Sequence, residues 1–131
     1  MLTRLRLRNF KRFDDIDIEL GQTVVFVGPN NSGKTTALQA LALWDIGVRR
    51  WNEKREGKTA PDKRPGVAIN RRDLISIPVP AANLLWRHLR VRDVEQVWDD
   101  DKKKKVPKTE NVRIDVIVDG ITNDKAWSCG L

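Results

Sequence analysis

Cysteine is nearly missing from this sequence. Cys129 stands alone among 131 residues, so no disulfide can form within the chain and a disulfide-stapled scaffold is excluded. Histidine is equally scarce. His88 is the only one, and without cysteine, histidine or carboxylate neighbours at ligand spacing it is a poor metal candidate. No apolar stretch approaches the roughly 20 residues of a membrane span. The N-terminus, Met1-Leu2-Thr3-Arg4, lacks the apolar core of a signal peptide. Together these absences point to a cytoplasmic protein.

What is present fits one globular domain with one core: 40% hydrophobic and 33% charged residues. The net charge of +7 is unevenly placed. Residues 48–92 hold 12 Lys/Arg against 4 Asp/Glu, whereas residues 1–47 and 93–131 are close to balanced. A localised basic excess suggests an anionic partner such as DNA or RNA, or else a solvated insertion.

The strongest motif is Gly28-Pro29-Asn30-Asn31-Ser32-Gly33-Lys34-Thr35, which fits G-x-x-x-x-G-K-[ST] at every fixed position. Glycines let successive backbone N–H groups turn toward one concave site, and the helix that follows adds its free N–H groups. Lys34 is expected to reach the terminal phosphates of ATP, and the Thr35 hydroxyl to hold Mg²⁺. Thr36 closes the set of phosphate-binding residues. Before the motif, residues 23–27 form a continuous apolar run that reads as a strand buried on both faces. After it, residues 36–44 are good helix formers, and the helix is expected to end near Gly47 as a C-cap.

Residues 3–8 and 15–20 alternate strictly between apolar and charged. One antiparallel register, in which opposed residue numbers sum to 23, places Leu5 and Leu7 by Ile18 and Ile16. It also sets Arg4, Arg6 and Arg8 against Glu19, Asp17 and Asp15. The arginine row looks like a nucleic-acid stripe, but the acidic row matches it, and we read it as structural.

Between these strands lies Asn9-Phe10-Lys11-Arg12-Phe13. "LRLRNFKRF", then an amphipathic strand and "VVFVGPNNSGKTTALQAL", resembles the N-terminus of ABC-type ATPase heads of the SMC, RecF and OLD-like group. The resemblance covers residues 1–47. It implies an α/β P-loop NTPase fold of ABC-ATPase type, with a mixed sheet and an antiparallel layer. It also implies that Asn9, Phe10, Lys11 and Arg12 lie near the nucleotide, with Lys11 or Arg12 touching phosphate or the adenine side.

Beyond Gly47 we expect three stretches. Residues 48–66 read as a flexible basic insertion. Residues 67–79 carry a strand near 74–77 that Pro78 and Pro80 break, followed by a short helix over residues 81–89. Residues 93–131 read as antiparallel strands, with a charged turn at 99–105, a turn beginning at Asp119-Gly120, and residues 126–131 pairing back. Arg71 and Arg72 are surface charges or anion contacts, and Lys102 to Lys105 are a solvated turn or a DNA contact.

Hydrolysis also needs a second acidic residue for Mg²⁺ and a group that orients water. Asp119, after Val116-Ile117-Val118, is the best candidate for the metal, although no glutamate follows it. Asp99 to Asp101 are poorer. Gln96 is a candidate for the family's magnesium-linking glutamine. The serine–glycine signature of ABC heads is absent, and the sequence stops within what reads as a strand. We therefore expect an incomplete N-terminal lobe that binds ATP but does not hydrolyse it alone. In the full protein, it would work with a C-terminal lobe or a second head of a homodimer associated with DNA. Two alternatives stay open: a complete small NTPase using Asp119, and a nucleic-acid-binding module with an idle loop.

Overall fold

A computed structural model of the chain describes residues 1–55 and 66–131. Strands β1 (Leu2–Phe10) and β2 (Phe13–Glu19) form the first hairpin. Helix α1 spans Lys34–Arg55, followed by 3-10 helices over Arg71–Ser76, Ala82–Leu85 and Arg87–Leu89. Then come β3 (Arg92–Asp99), β4 (Lys104–Asn111), β5 (Asp115–Thr122) and β6 (Lys125–Gly130). One sheet has the order β2-β1-β5-β6, and β3 and β4 form a separate two-stranded ribbon.

The first hairpin has the register its alternation requires. Arg4 pairs with Glu19, Leu5 with Ile18, Arg6 with Asp17, Leu7 with Ile16 and Arg8 with Asp15. On the other side of β1, β5 sets Val118 by Leu5 and Val116 by Leu7. Leu5, Leu7, Val116 and Val118 are all but fully buried, and Ala37, Ala40 and Leu43 of α1 join the same core. A fully buried side chain of this size contributes about 1.5–3 kcal/mol. The opposite face of the sheet carries the charges. Arg8 meets Asp15 at 3.3 Å as expected, but Arg4 reaches diagonally to Asp17 at 3.4 Å. Arg6 turns away from β2 to Asp119 on β5, with its Nη2 donating to both carboxylate oxygens at 3.0 and 3.1 Å.

Helix α1 runs well past Gly47, through Arg55, so residues 48–55 are helical rather than a flexible insertion. Gly47 is buried in the helix, not a cap; the Leu131 side chain lies where a Cβ would be. The later turns are held by Arg49 with Asp45, and by Arg50 with Glu53 at 3.2 Å. Arg50 also forks onto Asp73, with Nη2–Oδ1 2.7 Å and Nε–Oδ2 3.0 Å. Further along the helix's docking face, the indoles of Trp44 and Trp127 stack, and Trp44 Nε1 donates to the Cys129 carbonyl at 3.0 Å. The rest of the expected insertion, residues 56–65, lies outside the described residues.

Five further expectations differ from the structure. Residues 23–27 join no ladder, and Val25 and Val27 are 77% and 88% exposed. Every strand pairing among the described residues is antiparallel, so the mixed sheet is not seen. An apolar run becomes a buried strand only when strands flank it, and none of the described strands lies beside this one. Residues 74–77 are not a strand. Asp73 accepts from the Asn70 backbone N–H at 2.8 Å and, held by Arg50, closes a 3-10 turn there. The helix expected over residues 81–89 is two short 3-10 turns separated by extended Trp86. The turn at Asp119-Gly120 lies further on, at Asn123 and Asp124, both with left-handed backbones.

Candidate phosphate-binding site

Residues 30–36 line a concavity of about 290 Å³ at the start of α1. No acidic residue lines it, and the first turn of α1 carries none. The loop turns through Asn31 at φ 66° and Gly33 at φ 102°. Asparagine tolerates the left-handed region, and glycine enters it freely. Gly33 has a second reason to be glycine. A Cβ there would lie 2.6 Å from Phe13 Cζ and 3.2 Å from Arg12 Cδ. The hairpin turn between β1 and β2 therefore packs directly on the loop, and the Ala37 N–H donating to the Gly33 carbonyl at 2.9 Å opens the helix.

Lys34 folds back over the loop. Its Nζ donates to the carbonyls of Gly28 at 2.6 Å and Pro29 at 2.7 Å, and lies 3.4 Å from Ser32 Oγ. All three partners are neutral, so an incoming anion does not have to displace a carboxylate. Hydrogen bonds to a charged oxygen are roughly twice as strong as those between neutral groups. The Thr35 side is exposed. Backbone N–H groups at a helix start, a cation held by neutral groups and an open hydroxyl together fit a phosphate chain with its divalent cation.

The two cations of the flanking turn part company. Arg12 Nη1 donates to Asn31 Oδ1 at 3.3 Å, which brings its guanidinium to the loop. Lys11 points the other way, to Gln39 Oε1 of α1 at 2.6 Å, and its partial burial holds the ammonium below its usual range. Phe10 is fully buried, and the Asn9 amide donates to the Arg113 carbonyl at 3.0 Å. Sequence reasoning missed Phe13 as the residue against Gly33, and Gln39 as the partner of Lys11. Phe13 opens β2 beside the flagged turn; nothing in the spacing singles out Gln39.

The remaining candidates lie elsewhere. Asp119 sits on the charged face of the sheet, opposite the face that α1 covers. Hydrogen bonding to Ser128, together with Arg6, keeps its carboxyl below the usual carboxylate range. Gln96 and Asp99 belong to the β3–β4 ribbon, and Arg71 donates to the Pro80 carbonyl at 2.5 Å. Among the described residues, no group of three His, Cys, Asp or Glu could hold a metal ion. Among the described residues, no helix is long and apolar enough to cross a membrane. Much of the basic middle segment is already engaged, through Arg49, Arg50, Arg71, Arg87 and Arg90.

Comparison with known proteins decides the family. Residues 1–119 match the AAA ATPase domain. The chain belongs to that family. Membership implies the P-loop NTPase fold, of which this chain carries a part. It is 51% identical over 43 residues to the OLD nuclease of Thermus scotoductus, a match covering 33% of this chain and 8% of that protein. It is 31% identical over 87 residues to the glutamate transport ATP-binding protein GluA of Corynebacterium glutamicum, covering 65% of this chain and 35% of that one. Both relatives fit an N-terminal portion of an ABC/OLD-like AAA ATPase, and the chain spans well under half the length of either.

Proposed function

We propose that this chain holds the triphosphate of ATP as the first lobe of a DNA-associated ATPase head, and that a further lobe or second copy completes the site for hydrolysis. The observation that carries this is Lys34, clasped only by neutral loop groups above an acid-free concavity at the start of a helix. Backbone N–H groups of residues 30–36 and the Lys34 ammonium meet the phosphate charge. The Thr35 hydroxyl holds Mg²⁺, which would neutralise phosphate oxygens and keep them oriented. Arg12, beside Asn31, is the second cation of the site, and Lys11 supports the turn through Gln39.

Asp119 already binds Arg6 and Ser128, which supports binding without turnover in the isolated chain. The DNA association rests on the resemblance to SMC, RecF and OLD-like heads. Phosphate release from MgATP tests the division of labour. The isolated chain is expected to release no more than its Lys34→Ala variant. Turnover abolished by Lys34→Ala and by Asp119→Ala would overturn it in favour of a self-sufficient NTPase.

A further inference from the structure

The β3–β4 ribbon pairs with no other strand among the described residues, and its two faces differ in charge. Directly opposed residues share a face, and faces alternate along each strand. The pairs Asp93–Glu110, Glu95–Lys108, Val97–Val106 and Asp99–Lys104 make one face. The pairs Arg92–Asn111, Val94–Thr109, Gln96–Pro107 and Trp98–Lys105 make the other. All four acidic residues of the two strands thus fall on the first face, and the second has none.

All eight residues of the acid-free face are exposed. The cations differ too. On the acidic face Lys108 pairs with Glu110 at 2.8 Å. Arg92 and Lys105, on the other face, have no acidic partner among the described residues. Trp98, beside Lys105, is 57% exposed, while the other four tryptophans, all described, are half-buried. At the ribbon's root, Arg92 and Asn111 join Arg113, also free of an acidic partner among the described residues, along an open and largely apolar groove that Asp115 lines as well.

We infer that this acid-free face of the ribbon is a binding surface for single-stranded nucleic acid. The match is one of charge and shape. A polyanion is repelled by the acidic face and meets unpaired cations at both ends of the other. Unstacked bases find an exposed indole flanked by a cation, and side-chain amides at Gln96 and Asn111. Stacking on an aromatic plane plus backbone neutralisation is how strands are held without sequence preference. A duplex hides its bases from Trp98 and would use only the cations. The inference gives the DNA-associated part of the function a particular surface. It does not depend on the phosphate loop.

The test uses the full chain without nucleotide and a labelled oligothymidylate at low salt. Binding is expected to quench tryptophan emission in the wild type but not in Trp98→Ala, and to weaken as salt rises. Trp98→Ala should weaken it about tenfold, within the range of a stacked base. Lys105→Ala should lower the salt slope by roughly 0.7–1. Glu95→Gln on the acidic face should not weaken it. All three side chains are exposed, so unchanged melting curves verify folding. No binding by the wild type, or unchanged affinity in Trp98→Ala, would overturn the inference; so would tighter binding to duplex that ignores Trp98. MgATP binding lost in Lys34→Ala but retained in Trp98→Ala would show that the phosphate loop stands regardless.

Discussion

The two hairpins β1–β2 and β3–β4 are both antiparallel, both alternate, and both carry rows of opposite charge. Only one of them is part of a core. In β1–β2 alternation separates apolar from charged, so one face can be buried under α1 while the arginine and aspartate rows face water. In β3–β4 alternation separates acidic from acid-free, and neither face is apolar enough to bury. The same geometry makes a structural element in one case and a presented surface in the other. What differs is which property alternates. The arginine row of β1 illustrates the point from the other side: Arg4, Arg6 and Arg8 all have carboxylate partners, whereas Arg92 and Lys105 of the ribbon have none among the described residues.

The sharpest way to break this contrast is by truncation. Leu7→Ala, in the core of the sheet, should destabilise by about 2–5 kcal/mol in urea unfolding. Val94→Ala in the ribbon should stay within roughly 0.5 kcal/mol. Similar costs at the two sites would mean that the ribbon packs on the body after all. Next in size comes Gly33→Ala. It combines a left-handed backbone with overlap on Phe13 and should cost roughly 1–3 kcal/mol, visible as a lowered Tm. With a loop independent of the β1–β2 turn, only the backbone part of that cost would remain.

The smallest effect is pH-dependent and comes from two carboxylates of the body. Asp73 is held below the usual carboxylate range by the Asn70 backbone N–H, and by Arg50; Asp119 is lowered through Ser128 and Arg6. Groups with a depressed folded-state pKa stabilise fully above their unfolded value, about 3.9. That contribution is lost as pH falls through the folded value. Wild-type stability should therefore decline below about pH 4, and Asp73→Asn with Asp119→Asn should flatten the decline.

Much of this was legible in the residues. Period-2 alternation with complementary rows defines the β1–β2 register, because only one pairing keeps Leu5, Leu7, Ile16 and Ile18 together. The loop motif is local and forms where its fixed residues stand. What could not be read depends on partners distant in sequence. Gly47 looks like a cap until Leu131 fills the space beside it. Residues 74–77 look like a strand until Asp73 is seen tied to Arg50. Arg6 looks committed to Asp17 until β5 offers Asp119 from the other side. The run at 23–27 was read from its composition, but pairing requires neighbours that composition does not supply. At the site, the loop motif was readable, while the turning of Lys11 to Gln39 and of Arg12 to Asn31 depends on side chains that no motif names.

The central claim is that Lys34 and the loop hold the phosphates of ATP. Calorimetric titration of MgATP into the wild-type chain and into Lys34→Ala tests it most directly. Measurable binding to the wild type, weakened at least about tenfold in the variant, is the predicted result, as expected where a charge-assisted bond worth roughly 1.5–3 kcal/mol is removed. Equal affinity in the two proteins would contradict it.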